Sequence, residues 1–273
     1  MRNLVRRMVP LVACIALTTQ AFANCDNMNM GDRMTVRAEE RLTIGGNALS
    51  ISLGEGHGLP LKVVGSARGG YEVLLCKGAD DNATLVAVRL EQRGNAISVT
   101  GPSMGDWGGH LLVLAPRNAD LDIEAANGPV SISGIAGQLD ARIANGPLSL
   151  KQIGGSVDVK STNGPVSFSG GSGNVSIAAQ NGPLTLKLES ATWEGGELRA
   201  SAKNGPLTVK VPDGYASGIV VERGARTPFR CSVSLCGERP DSVHDEQTQI
   251  TIGTGTPRVH IASANGPVSI KEE

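Results

Sequence analysis

The chain has 273 residues, a formal net charge of −1, 36 glycines and aromatic residues at only 3% of the total. So few aromatics cannot easily build a large aromatic-centred core, and the absence of a basic surplus argues against a nucleic-acid surface. No apolar run approaches the roughly twenty residues a membrane-spanning helix needs.

The N-terminus reads as an export signal. Arg2, Arg6 and Arg7 form a basic lead, Met8 to Thr19 is mostly apolar, and Ala21-Phe22-Ala23 is a small-x-small cleavage site, so residues 1–23 are expected to be removed. A lipoprotein-box reading of Leu11-Val12-Ala13-Cys14 fits less well, because few apolar residues precede that cysteine and the apolar run continues past it. Without the leader, basic residues fall from 25 to 22 against 26 acidic ones, a formal charge of −4. Four cysteines remain, Cys25, Cys76, Cys231 and Cys236, an even number in an exported chain, which favours disulfides over metal or redox chemistry. Three pairings are possible in principle. The most natural joins Cys231 to Cys236 across CSVSLC and Cys25 to Cys76, tying the new N-terminus to a strand. The alternative, a Cys-x4-Cys metal site, lacks a second pair nearby in the sequence.

From residue 24 to about 116 the pattern is strand-like but aperiodic, with alternating runs at Leu49–Leu53, Leu61–Val64, Glu72–Leu75, Thr84–Leu90, Ala96–Thr100 and Leu111–Leu114. This stretch is expected to be an irregular β cap that shields one end of the repetitive C-terminal part.

From 117 to 273 the chain is repetitive. Asn-Gly-Pro occurs at Asn127, Asn145, Asn163, Asn181, Asn204 and Asn265, and the first four copies are each eighteen residues apart. Each repeat divides into two halves, and each half holds one short alternating strand between small turn residues. Inward positions are Val130 and Ile132, Leu148 and Leu150, Val166 and Phe168 in first halves, and Leu139 and Ala141, Val157 and Val159 in second halves. One coil cannot cover its own apolar side, so coils must stack. The expected fold is an all-β, flattened parallel β-solenoid with eighteen-residue coils. At each corner asparagine tolerates left-handed geometry, glycine accepts positive φ and proline removes a donor. Stacking then aligns the six asparagines as a structural ladder.

Two columns face outward from the first halves: Ser131, Ser149, Ser167, Thr185, Thr208 and Ser269, then Ser133, Lys151, Ser169, Lys187, Lys210 and Lys271. Such a face suits a polysaccharide, an anionic headgroup or a protein surface, although soluble β faces commonly carry the same residue types. Trp193, in a five-residue expansion of the fourth coil, and Trp107 are the candidate exposed aromatics for sugar stacking. Residues 212–257 interrupt the repeats and are expected to form a lateral loop or hairpin before a final, detached coil.

Catalytic signals are sparse. His57, His110, His244 and His260 are scattered, no Gly-x-Ser-x-Gly or His-Glu-x-x-His string occurs, and carboxylates do not cluster as glycoside hydrolysis requires. Cys25 with Met28, Met30 and Met34 offers soft-metal donors, but a flexible N-terminal segment explains them better. No cofactor is implied.

The segment LLVLAPRNADLDIEAANGPVSISGIAGQLDARIANGPLSL resembles the putative-adhesin family of bacterial envelope proteins, over roughly Leu111 to Val211 and again at Ala262 to Lys271. The proline after each Asn-Gly departs from the acidic residue often found there in that family. The resemblance implies an exported all-β solenoid. With catalytic signals so sparse, the expected function is a non-catalytic, adhesin-like scaffold, periplasmic or at the surface, whose partner is an envelope polysaccharide or protein. A carbohydrate-active enzyme, a lyase or hydrolase on a β-helix, is the alternative.

Overall fold

The computed structural model describes residues 25, 34, 36–54, 56, 58–103, 105–237 and 248–273. The signal segment 1–23, His57, His244, Met28 and Met30 lie outside the described residues. The N-terminal part holds β1 (Val36–Ile44), β2 (Ala48–Leu53), β3 (Leu61–Ser66), β4 (Tyr71–Ala79), helix α1 (Asn82–Ala87), β5 (Arg89–Arg93), β6 (Ala96–Thr100) and β7 (Trp107–Pro116). The repeats supply β8 (Asp120–Asn127), β9 (Val130–Ser133), β10 (Gln138–Asn145), β11 (Leu148–Lys151), β12 (Ser156–Asn163), β13 (Val166–Gly170), β14 (Asn174–Asn181), β15 (Leu184–Leu188), β16 (Leu198–Asn204) and β17 (Leu207–Val211). The C-terminal part adds β18 (Gly218–Arg223), β19 (Phe229–Cys231), β20 (Gln249–Ile252), β21 (Pro257–Ser263) and β22 (Val268–Glu272).

These strands form two eleven-stranded mixed sheets, ordered β1-β4-β7-β3-β9-β11-β13-β15-β17-β22-β19 and β20-β18-β21-β16-β14-β12-β10-β8-β2-β6-β5. Within the repeats every pairing is parallel and each strand meets its equivalent eighteen residues on, as Leu139 meets Val157 and Leu148 meets Val166. Between β14 and β16 the offset widens, Val175 facing Leu198. The period-two pattern sends one side of every strand inward. Val130, Ile132, Leu148, Leu150, Leu139 and Val157 are all at most 4% exposed and belong to one contiguous core. Each such side chain contributes roughly 1.5–3 kcal/mol by leaving water.

The corners explain the recurring triplet. Gly146 and Gly164 adopt φ of +120° and +123°, and a Cβ at Gly164 would lie 2.3 Å from the carbonyl oxygen of Gly146. Only glycine meets both demands. The following proline has no N–H to strand, and its carbonyl accepts from the first amide of the neighbouring row, as Leu148 N–H donates to Pro165 O at 2.9 Å.

Not every pair is parallel. β1 with β4, β4 with β7, β5 with β6 and β18 with β20 run antiparallel, all toward the ends of the sheets. Of these, only β5 and β6 are joined by a tight connection, Gly94-Asn95, too short for anything but a hairpin. β2 and β3 nonetheless pair in parallel with the repeats, Leu49 against Leu121 and Leu61 against Val130.

Three expectations need correction. The run Thr84–Leu90 is not one strand: Asp81 caps α1 by accepting from Thr84 N–H at 2.8 Å, and strand begins only at Arg89. The segment 212–257, expected as a lateral loop or hairpin, does pair β18 with β20 antiparallel, but it is not lateral, since β18 and β19 also extend the two sheets as paired strands. Finally, the last repeat in sequence is not the last in space. β21 lies between β16 and β18, and β22 between β17 and β19, so the chain places an outer row first and then returns to fill the row beneath it.

Candidate functional site

The outer face of the first-half strands carries the regular polar columns. Ser131, Ser149, Ser167, Thr185, Thr208 and Ser269 face one another in consecutive rows, roughly 4.8 Å apart. Lys62 on β3 and Arg230 on β19 prolong this column at its two ends. In the adjacent column Ser133 is paired with Lys151, Ser169 with Lys187, Lys187 with Lys210 and Lys210 with Lys271. Some of these groups are partly occupied. The Thr208 and Ser269 hydroxyls bond each other at 3.1 Å. Lys187 forms an ion pair with the Glu273 carboxylate, whose hydrogen bond raises the lysine pKa. Lys210 and Lys271 stand in successive rows beside this ion pair.

The other sheet presents a different surface. Asp122, Asp140 and Asp158 stand in register, and like charges so placed repel. Arg142 sits among them, 3.2 Å from Asp140, 3.7 Å from Asp122 and 3.8 Å from Glu124, and Lys160 lies 3.4 Å from Asp158. These exposed pairs relieve the repulsion and contribute little more. Among the described residues, no group of three or more His, Cys, Asp or Glu stands where it would hold a metal ion.

Neither tryptophan is where a sugar-stacking residue must be. Trp193 is 4% exposed and Trp107 1%. Trp193 Nε1 donates to Gly173 O at 3.0 Å, and its ring centroid lies 6.3 Å from that of Phe168. The expansion of the fourth coil therefore folds inward and fills core volume, and Trp193 leaves the interaction face. Trp107 Nε1 donates to Pro102 O at 2.9 Å.

Both cysteine pairs form disulfides. Cys25 joins Cys76 with Cα atoms 5.6 Å apart, and Cys231 joins Cys236 across 6.2 Å. At the corners the asparagine amides are chained. Asn145 Nδ2 donates to Asn127 Oδ1 at 3.1 Å, and Asn163, Asn181, Asn204 and Asn265 each donate at 2.9 Å to the Oδ1 of the preceding member.

Sequence reasoning missed two features. Lys77 is buried on β4 and bonds Glu40 on β1 and the Val88 carbonyl. Glu40 shares the alternation of Val36, Ala38 and Leu42, so its inward position was legible from period two. A cavity of about 300 Å³, lined by Pro60, His110, Leu112 and Pro129, opens beside Ser131. Burial lowers the His110 pKa. No sequence signal marked this cavity, because its walls come from strands distant in the chain.

No family model and no curated protein matches the chain. Solved structures resemble it loosely. One is a putative cell adhesion protein from Clostridium sporogenes, 10% identical, covering 87% of this chain and 100% of that one at a TM-score of 0.36. A putative lipid binding protein from Parabacteroides distasonis is 9% identical, with 87% and 96% covered and a TM-score of 0.40. A putative adhesin from Bacteroides fragilis is 11% identical, with 88% and 99% covered and a TM-score of 0.31.

Proposed function

We propose that this chain is a non-catalytic, exported β-solenoid of the bacterial envelope, an adhesin-like scaffold that engages an anionic envelope polysaccharide through its Ser/Thr and Lys face. In this reading residues 1–23 are a leader, 24–116 form the N-terminal section and 117–273 the repeats. The periplasm is the favoured compartment, consistent with two disulfides. The asparagine ladder is corner hardware, and the binding residues are Lys151, Lys210 and Lys271 with the hydroxyl column beside them.

The single observation that carries the reading is the register of that face. Hydroxyls repeat in consecutive rows beside lysines at Lys187, Lys210 and Lys271, which suits a linear polymer with repeating charge better than a compact ligand. Attraction of this kind is screened by salt.

Retention on immobilised alginate, compared with neutral dextran, tests the proposal. The protein is expected to be held by alginate and released by salt, and the combined Lys151→Glu, Lys210→Glu and Lys271→Glu variant is expected to pass through. Equal retention on dextran, or unchanged retention of the variant, would remove the assigned face. Release of shortened alginate chains would instead favour the enzyme reading.

A further inference from the structure

We propose that the cavity beside Ser131 binds a free medium-chain fatty acid, its tail against Pro60, Leu112 and Pro129 and its carboxylate on Lys62. The cavity lies on the outward side of the sheet that holds β3, β7 and β9, where Lys62 stands between Leu112 and Ser131 in adjacent rows. At about 300 Å³ it falls at the small end of ligand pockets, which are mostly apolar with a few convergent polar groups. Its walls are apolar for a backbone reason. Proline has no N–H, and the Pro60 and Pro129 carbonyls are already used, accepting from Leu111 and Leu61 N–H at 2.9 Å. The two prolines therefore offer the cavity ring carbons only.

The surroundings of the cavity differ from the rest of this face. Along the repeats the outward positions are serine, threonine and lysine, whereas Leu112 belongs to a small apolar cluster with Leu74 and Cys76, apart from the main core, and Cys25, Met34 and Val64 pack beside it. One wall of the cavity is thus continuous with an apolar patch on the outside of the sheet. Exposed apolar surface of this kind marks a binding groove more often than a solvated β face.

Charge selects the ligand class. Lys62 is exposed at the rim, and among the described residues it has no ion-pair or hydrogen-bond partner and no carboxylate lines the cavity. Burial lowers the His110 pKa, so at neutral pH that ring is an uncharged wall and Lys62 is the one cation beside the groove. An apolar trough ending in a single unpaired ammonium complements a molecule with an apolar tail and one terminal negative charge. A polysaccharide has no such tail. None of Lys151, Lys210 and Lys271 lines the cavity, so this proposal stands or falls apart from the polysaccharide reading.

Isothermal titration calorimetry of the full protein with sodium decanoate, kept below its micelle concentration, reads the result. One equivalent is expected to bind. Decyltrimethylammonium, of equal tail length and opposite charge, is expected to bind about tenfold more weakly, and each methylene removed from the fatty acid to weaken binding by up to about fourfold. Lys62→Glu is expected to weaken decanoate about tenfold, while Lys62→Arg keeps the parent affinity. Lys62 is exposed, so this pair of variants separates a lost contact from a damaged fold. Ser131→Phe, which sets a ring at the mouth of the cavity, is expected to abolish binding. A protein that takes up no decanoate overturns the proposal. So does equal binding of the cationic amphiphile, indifference to tail length or to Lys62→Glu, or full binding by the Ser131→Phe protein.

Discussion

Replacing Gly164 with alanine tests whether the corner geometry holds the rows at their spacing. The residue sits at φ +123°, where an L side chain is strained by about 1–2 kcal/mol. Its new Cβ would meet the Gly146 carbonyl oxygen at 2.3 Å and the carbonyl carbon at 2.7 Å. Both atoms are backbone, so relief requires the rows to part. That movement strains the bond from Gly146 N–H to Asn163 O, now 2.9 Å, a loss of about 1 kcal/mol. Together these give a destabilisation of about 3 kcal/mol, which for a domain of this size lowers Tm by roughly 6–12 °C. Gly154 is the internal control. Its φ is not in the left-handed region and its Cβ would sit 3.6 Å from the nearest atoms, both on Ser172. Gly154→Ala is expected to change stability by less than about 1 kcal/mol, in either direction. Thermal and urea unfolding followed by circular dichroism compares the two. Equal effects, or a Gly164→Ala protein as stable as its parent, would refute the close-approach reasoning.

Two further outcomes concern buried polar groups. Ser161 is 2% exposed, and its hydroxyl has no hydrogen-bond partner within the core, so Ser161→Ala is expected to stabilise by about 1 kcal/mol, read as a higher urea midpoint. Burial alone would raise the Glu40 pKa, but the hydrogen bonds from Lys77 and from Leu90 N–H, with the lysine charge, outweigh it and leave the value below 4.5. A depressed carboxylate stabilises the fold above its unfolded pKa and loses that contribution as pH falls through the folded value. Stability is therefore expected to drop below about pH 4.5, and Glu40→Gln is expected to be less stable at neutral pH with a shallower acid limb in a Tm-against-pH series.

What could be read from the residues depended on whether the chain repeats itself. Val130, Leu148 and Val166 recur at one spacing, so their pairing partners were written in the sequence along with the direction each faces. The placement of β21 and β22 was not, because the alternations of Val259-x-Ile261 and Ile219-x-Val221 are equivalent, and either strand fits beside Leu198 and Ala200. Trp193 was misplaced for a related reason. Five added residues lengthen a turn without saying whether it bulges outward or tucks in, and only the open volume beside Phe168 decides. Helix α1 is too short to display a 3.6-residue period, although Asp81 three residues before Thr84 is a cap pattern that would have revealed it. The outward columns were visible in the sequence, whereas the cavity beside Ser131 draws its walls from three separate stretches of chain.

The intercalated row has a consequence for the order of assembly. Rows from β8 to β17 can zip together as successive lengths of chain become available, since each partner lies one repeat away. β18 and β19 cannot complete their contacts in the same way, because their inner neighbours, β21 and β22, come later in the chain. The tail must enter a slot whose far wall comes from earlier chain, a non-local closure of the kind that slows folding. Losing residues 257–273 would accordingly not shorten the molecule by one layer. It would open a gap between β16 and β18 and between β17 and β19, stranding the layer of β18 and β19 from the body it covers.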